Sequence, residues 1–222
     1  MTPAPSASAA PTLPAGRRTV LYALRRRGEA SAEQIAEQLD MTVSGARQHL
    51  SALIRDGWVE SAETATPEPK RGRRPLVYAA TAAADDLFPK AYGELTNELL
   101  GYVEGTDPKL LDDLFAKRRE HRVDNAHARL ANKRSLAAKV AELTRILDED
   151  GYLATSERVS PGLYLIIEHN CAIWAVAQRY GQACTSELDF IRAVLPEATV
   201  ERTQHMVAGA RRCAYEVREI AA

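Results

Sequence analysis

Three cysteines, Cys171, Cys184 and Cys213, are the residues whose type and spacing best suit a chemical role. Twelve residues separate the first two and twenty-eight separate the last two, and none belongs to a Cys-x-x-Cys pair. An odd number of cysteines does not make a complete disulfide framework. The set is therefore interpreted either as inert buried thiols or as a metal or redox site.

A site shared by the first two cysteines requires the chain to break between them. On one continuous helix they would lie about 20 Å apart, at about 1.5 Å per residue. Gly181 lies between them and can end a helix, which would place Cys184 at the start of the next one. A thiolate there would be stabilised by free amide groups and the helix dipole, and Arg211 and Arg212 would add positive charge beside Cys213.

The apolar pattern around the cysteines predicts a small α+β domain. Its predicted elements are helices over 135–147, 172–179 and 186–195, a strand over 163–167, and a hairpin of 199–207 with 213–219. The hairpin is expected to turn at Gly209. Met206 would then pair with Cys213, and His205 would point to the opposite face of the sheet.

The N-terminal part of the chain predicts three helices followed by a β-hairpin. Apolar residues at helical spacing predict the first helix over 17–26, with Gly28 as its C-cap. Ser31 and Gln34 form a capping box that begins the second helix. The remaining predicted elements are a third helix over 43–56 with Ala46, Leu50, Leu53 and Ile54 facing inward, and strands over 58–60 and 76–79. This order is that of a winged helix-turn-helix.

The third helix and the hairpin tip carry the candidate DNA contacts, because a helix fits the major groove and basic tips suit phosphates or a narrow minor groove. On the helix they are Thr42, Ser44, Gly45, Arg47, Gln48 and Ser51. At the tip they are Lys70, Arg71, Arg73 and Arg74. Arg47 would pair with guanine and Gln48 with adenine, while Gly45 permits a close approach to the backbone.

Residues 83–130 predict helices that dimerise. Asp107 and Pro108 predict the cap and first residue of one of them, and the charged stretch 117–127 predicts a solvated face. The apolar positions are Phe88, Tyr92, Leu95, Leu99 and Val103, followed by Leu110, Leu111, Leu114 and Phe115. One winged helix contacts too few base pairs to be specific alone, so a homodimer on a palindromic double-stranded DNA operator is expected.

Charge and composition support a DNA-binding regulator. The formal net charge is −1, but residues 1–80 carry +3 and the remainder −4, which favours a nucleic-acid partner for the N-terminal part. Residues 1–15 are rich in Pro, Ala, Ser and Thr and predict a disordered tail without signal-peptide character. With no apolar run of about 20 residues, the expected location is cytoplasmic and nucleoid-associated, with no membrane partner.

This sequence contains no motif that indicates an enzyme. A nucleophilic Cys171 or Cys184 with His169 or His205 as base is conceivable from residue types. However, there is no nucleophile elbow, phosphate loop or paired-carboxylate motif. We therefore expect no catalytic residues and no small-molecule substrate.

Two sets of residues resemble known regulators. The first set resembles ArsR/DeoR-like bacterial winged-helix repressors and comprises Met41–Leu50, Gly57–Val59, Arg71–Pro75 and Tyr78. The second resembles SufR-type regulators and comprises Glu168–Cys171, Cys184, Glu187–Leu188 and Gly209–Tyr215. SufR-type regulators are winged-helix repressors of iron–sulfur cluster assembly operons and carry an oxygen-labile cluster, usually [4Fe-4S]. This second resemblance extends from Arg17 to the C-terminus.

The resemblance implies that the three cysteines hold a [4Fe-4S] cluster, with [2Fe-2S] or zinc as alternatives. The fullest family pattern has a further cysteine, whose position falls on Ala198 in this sequence. The fourth ligand is therefore open, and His169 is favoured because it lies two residues before Cys171, on the same face if that stretch is extended. The alternatives are His205, Glu168, Glu187, water or a small external thiol.

The expected protein is α+β, with an N-terminal winged helix-turn-helix, a helical dimerisation linker and a small C-terminal α+β sensor domain. The expected boundaries are a tail over 1–15, the winged helix over 16–82, the linker over 83–130 and the sensor over 131–222. The expected function is transcriptional repression of cluster-assembly genes, released when the cluster is lost. A zinc- or thiol-redox-responsive repressor that uses the same cysteines is the alternative.

Overall fold

The computed structural model describes residues 13–63 and 76–220, which divide into two compact units, residues 13–90 and 91–220. The helices are α1 (Ala15–Arg27), α2 (Ala32–Gln38), α3 (Val43–Arg55), α4 (Tyr92–Thr106), α5 (Pro108–Leu130), α6 (Leu136–Leu147), α7 (Trp174–Ala177) and α8 (Gly181–Val194). The strands are β1 (Glu29–Ser31), β2 (Val59–Glu63), β3 (Leu76–Ala80), β4 (Ala154–Ser160), β5 (Leu163–Glu168), β6 (Ala198–Gln204) and β7 (Cys213–Glu219). Short 3-10 turns cover Ala82–Leu87 and Met206–Ala208, and a π-helical turn covers Asp148–Tyr152.

In the first unit three helices pack with a three-stranded antiparallel sheet, in the strand order β1-β3-β2. The predicted capping box is confirmed, since the Ser31 hydroxyl accepts from the Gln34 amide and the Gln34 side chain accepts from the Ser31 amide. Gly28 ends α1 with a positive φ of 79°, a conformation that glycine adopts without steric cost. The predicted winged-helix order is thus present, with β1 as an additional strand.

Three sequence predictions about this unit are corrected. Ile54 does not face inward, because its side chain is 37% exposed. The predicted tail ends before Leu13, which is buried in the core of the unit. The predicted linker is divided: the ring of Phe88 lies 5.5 Å from that of Tyr22 on α1, so residues 82–90 belong to the first unit. The tip residues Lys70, Arg71, Arg73 and Arg74 and residues 1–12 of the predicted tail lie outside the described residues.

The second unit is an antiparallel sheet in the order β4-β5-β7-β6, with α6 and α8 packed against it and α5 packed on both helices. Its largest core is formed by side chains from the sheet and these helices, including Leu143, Leu147, Ile166, Phe190 and Val217. A smaller core joins α5 with the segment that runs from α7 into α8, through Leu111, Phe115, Tyr180 and Ala183. Among the described helices, none is long and apolar enough to cross a membrane.

The local predictions for this unit are partly confirmed. The strand over 163–167 is present as β5, and Asp107 caps α5 with Pro108 as its first residue. The helix expected over 172–179 is wrong in extent, because α7 has only four residues, and the next helix begins five residues earlier than expected, at Gly181. The face expected to be solvated over 117–127 contains the buried Ala126.

Candidate functional site

The exposed face of α3 presents the side chains that the sequence predicts for DNA contact. Thr42 caps the helix, since its hydroxyl accepts from the Gly45 amide at 3.1 Å. A Cβ atom on Gly45 would lie 3.1 Å from that hydroxyl, so the glycine also keeps the cap uncrowded. The exposed positions are Thr42, Ser44, Arg47, Gln48 and Ser51. All five side chains are therefore accessible for contact with DNA.

Arg47 has a partner that the sequence analysis did not reveal. Its guanidinium lies 2.6 Å from a carboxylate oxygen of Glu33, in the first turn of α2. A hydrogen bond from the backbone lowers the pKa of Glu33, and the Ser31 side chain and Arg47 lower it further. Both side chains are more than half exposed. An exposed pair of this kind contributes about 0–1 kcal/mol, so Arg47 can exchange Glu33 for a base or a phosphate.

The three cysteines line one small cavity in the second unit. Its volume is about 20 Å³, which is room for about one water molecule. The lining residues are Tyr152, Glu168, Cys171, Ile173, Ala177, Ala183, Cys184, Glu187, Arg202, His205, Cys213 and Tyr215. Residues that are far apart in the sequence are therefore brought to one polar cavity.

Each cysteine is placed by a different element. Cys213 is the first residue of β7 and pairs with Glu168, the last residue of β5. Cys171 follows β5 by three residues, and Cys184 lies in the first turn of α8. The expected break at Gly181 is confirmed, because α8 begins there and brings Cys184 to the same cavity as Cys171.

The two candidate histidines lie in different surroundings. His205 lines the cavity, and its Nε2 is buried without a hydrogen-bond partner. His169 is outside the set of described residues that line the cavity, and its Nε2 lies 3.0 Å from the Thr155 hydroxyl. The expected strand pairing of Met206 with Cys213 is wrong: β6 ends at Gln204, and the 3-10 turn that follows turns His205 toward the cavity.

Four lining residues carry buried polar atoms that lack a hydrogen-bond partner. They are Glu168 Oε1, Glu187 Oε1, Arg202 Nε and His205 Nε2, and the only other such atom among the described residues is Asn97 Oδ1. Leaving a buried polar atom unpaired costs about 1–3 kcal/mol, and such atoms commonly mark a bound water or ion. Their concentration around one cavity points to a ligand-binding role.

The thiols surround the cavity without forming a finished coordination shell. Within the described residues, no three His, Cys, Asp or Glu side chains are arranged so that they could hold a metal ion. Cys171 and Cys184 are half-buried, whereas Cys213 is buried. Ligation of one ion would therefore require the side chains to move inward, and ligation of a cluster would require the cavity to widen.

Comparison with known proteins bears on the first unit. Residues 15–61, from α1 into β2, match the model of the family described as bacterial regulatory protein, arsR family. This chain is a DNA-binding transcriptional regulator. The match covers the capped α3 and its exposed face, and it includes neither the cysteines nor the second unit.

Two solved structures are similar to the chain, with low sequence identity and low TM-scores. One is described as multiple antibiotic resistance repressor, MarR, with 20% identity and a TM-score of 0.30, over 47% of this chain and 75% of that one. The other is a trafficking protein particle complex subunit 3 from Naegleria fowleri covalently bound to palmitic acid. It has 14% identity and a TM-score of 0.37, over 59% of this chain and 92% of that one. No curated protein matches the regulator.

The thiols of the regulator are held in their protonated form. Burial raises the pKa of Cys171 to about 11 and also raises the pKa of Cys184 and of Cys213. The expected lowering by the helix N-terminus and by Arg211 and Arg212 is not seen; Arg202 is the cation that lowers the pKa of Cys184 and Cys213, and desolvation outweighs it. A protonated thiol is a poor nucleophile, whereas a metal ion displaces the proton on binding. The environment therefore does not favour reactive thiolates.

A buried polar network behind the cavity is the part of the site that the sequence analysis missed. Arg122 Nη1 donates to Glu187 Oε2 at 2.7 Å, and the Tyr152 hydroxyl donates to the same oxygen at 3.0 Å. The Tyr215 hydroxyl donates to Glu168 at 3.2 Å. Burial and the nearby charge of Glu187 raise the pKa of Glu168 to about 8. The network connects the cavity wall to α5 through Arg122.

Proposed function

We propose that this regulator is a homodimeric repressor that senses an iron–sulfur cluster and controls the genes of cluster assembly. The observation that carries the proposal is the cavity lined by Cys171, Cys184 and Cys213, in a unit separate from the DNA-binding unit. The assignment to cluster-assembly genes rests on the resemblance of the cysteine pattern to SufR-type regulators.

The donor set supports a cluster. Thiolates are the usual ligands of iron–sulfur clusters, and the proposed group is [4Fe-4S] at the three cysteines. When bound, the cluster supplies an oxygen-sensitive link between the start of β7, the segment after β5 and the first turn of α8. The protein residues hold these three segments at one cavity, which would have to widen to take a cluster.

Zinc is the second candidate, and the size of the cavity favours it. A volume of about 20 Å³ suits one ion, whereas a cluster of eight atoms needs a wider space. Zinc binds tetrahedrally to sulfur and nitrogen, and three thiolates with one imidazole form a known structural set. In this candidate the same cysteines serve a zinc-responsive repressor.

Metal analysis of protein purified without oxygen separates the two candidates. A cluster gives a brown protein that absorbs near 400 nm, with about four iron per chain for [4Fe-4S]. DNA fragments from upstream of the cluster-assembly genes should bind holo protein and apo protein with different affinities. A colourless protein with one zinc per chain would support the second candidate, and a protein with neither metal would overturn both.

The dimer is proposed to form along α4. None of the fifteen residues of α4, all of them within the described range, is buried. Four large side chains are between 52% and 70% exposed at spacings of three, four and three residues, and they are Tyr92, Leu95, Leu99 and Tyr102. This spacing is that of a coiled-coil seam, so a second copy of α4 is the partner that it fits.

A charge in this seam should separate the protomers. We expect Leu99→Glu to convert the dimer to a monomer and to weaken DNA binding. In the dimer, the new carboxylate would be buried against α4 of the other protomer, which carries the same charge. Light scattering after size-exclusion chromatography measures the mass. Val159→Glu on β4, where the side chain is 58% exposed, is the matched control and should stay dimeric. A dimeric Leu99→Glu variant would show that α4 is not the interface.

Substitution of Arg47 tests whether α3 contacts the DNA bases. We expect Arg47→Ala to weaken binding to the operator by about 1–3 kcal/mol, because a bidentate contact to a base is lost. Arg218→Ala is the matched control, since Arg218 is equally exposed and has an equally short pair, at 2.6 Å, with Glu216. Fluorescence anisotropy with the operator fragment measures both. Equal affinities for the two variants would exclude Arg47 from the interface.

A further inference from the structure

We propose that His205 is the fourth protein ligand of the metal centre and binds through Nε2. This inference rests on the proposed function, in that it requires a metal group at the three cysteines. It replaces the sequence-based choice of His169.

The backbone around His205 fixes its position against Cys213. The amides of Ala208 and Ala210 both donate to the His205 carbonyl at 3.1 Å, so a tight turn holds this residue. The next amide, that of Met206, lies 3.4 Å from the Cys213 sulfur. His205 is thus adjacent in the chain to a group that already contacts one of the thiols.

One imidazole nitrogen of His205 is free to bind a metal. His205 Nε2 is buried and lacks a partner, which is a costly arrangement for an imidazole unless a ligand completes it. Burial and the charge of Arg202 lower the pKa of His205. A neutral imidazole is the form that binds a metal ion.

Of the competing protein ligands, His169 is engaged elsewhere, because its Nε2 lies beside the Thr155 hydroxyl. Glu187 accepts from Arg122 and Tyr152 through Oε2, and Glu168 accepts from Tyr215 through Oε2. Each carboxylate thus keeps one unpaired oxygen, Oε1, and is disfavoured by its ligand type. Carboxylate oxygen is also a harder ligand than imidazole, which replaces cysteine on iron in Rieske-type clusters and suits zinc equally.

The position of Ala198 strengthens the argument. Ala198 begins β6 and pairs with Glu219, whereas Gln204 at the other end of β6 pairs with Ala214, beside Cys213. Six residues of strand span about 20 Å, so a side chain at position 198 lies at the far end of the strand from the cavity. A fourth ligand supplied by this part of the chain would therefore come from the cavity end of β6, where His205 follows Gln204.

X-ray absorption spectroscopy at the iron or zinc edge tests this assignment, because it reports the ligand atoms around either metal. We expect one imidazole and three sulfur ligands from protein for the natural sequence and for His169→Ala, which is the matched control. His205→Ala should lose the imidazole contribution, and His205→Cys should retain the metal with sulfur in its place. For a reduced cluster, pulsed electron paramagnetic resonance should show a strong nitrogen coupling that only the two His205 variants lose.

The outcomes separate this inference from the proposed function. Metal and sulfide content of the natural protein decides whether a cluster is present at all. An imidazole signal that persists in His205→Ala, or that is absent from fully loaded natural protein, would overturn the assignment while leaving the three-cysteine site intact. Circular dichroism establishes that the variants are folded, and metal retention by His205→Cys shows that the site itself survives substitution.

Discussion

Replacing Cys213 with serine should abolish stable metal binding and the metal-dependent part of DNA binding. Cys213 is buried at the start of β7, and its sulfur lies 3.4 Å from the Met206 amide, so a hydroxyl there would remain in place without supplying a thiolate. If metal-loaded and metal-free protein differ about 100-fold in operator affinity, the coupling free energy between metal binding and DNA binding is about 2.7 kcal/mol. In Cys213→Ser this difference should fall to zero.

Metal content and anisotropy titrations on the same samples measure both effects. Thr185→Ala is the control, because Thr185 neighbours Cys184 on α8 but is exposed and lies outside the described cavity lining. This variant should keep its metal and its regulation. The first unit should still bind DNA weakly in Cys213→Ser, with strong dependence on salt. Full metal content in Cys213→Ser would remove Cys213 from the site.

Replacing Arg122 with alanine should destabilise the second unit by about 3–5 kcal/mol, the usual effect of breaking a buried ion pair. The Arg122 side chain is 12% exposed and that of Glu187 is 5% exposed. The guanidinium also donates to Asp150 at 2.8 Å and lies 4.1 Å from the centroid of the Phe190 ring. Without Arg122, the charge on Glu187 would be buried beside Glu168 and would lose the guanidinium that pairs with it.

Arg119→Ala is the matched control on the same helix. Arg119 lies 3.4 Å from Asp189, and both side chains are about one-third exposed, so its removal should change the free energy of unfolding by about 1 kcal/mol or less. Chemical denaturation of the apo protein measures both variants. Adding Glu187→Gln to Arg122→Ala should recover part of the loss, because it removes the uncompensated charge. Equal stability of the two single variants would show that the buried pair is not important for the fold.

Features of the sequence that act over a few residues predicted much of this protein correctly. The capping box of Ser31 and Gln34, the Asp107–Pro108 helix start and the apolar strand at 163–167 are all present. The break at Gly181 is present as well, and it brings Cys184 to Cys171. These signals are local because they depend on hydrogen bonds and side-chain periodicity within one or two turns of chain.

The tertiary structure alone decided the environment of the candidate site. Arg122 lies in a charged stretch that reads as solvated, yet it is buried because Glu187, 65 residues away, faces it from α8. Desolvation by several packed elements raises the pKa of the thiols, which no nearby residue type indicates. In the sequence, the three cysteines were the signal that indicated the candidate site. The placement of His205 at the cavity depended on where β6 ends, because one 3-10 turn determines which face of the chain meets the cavity.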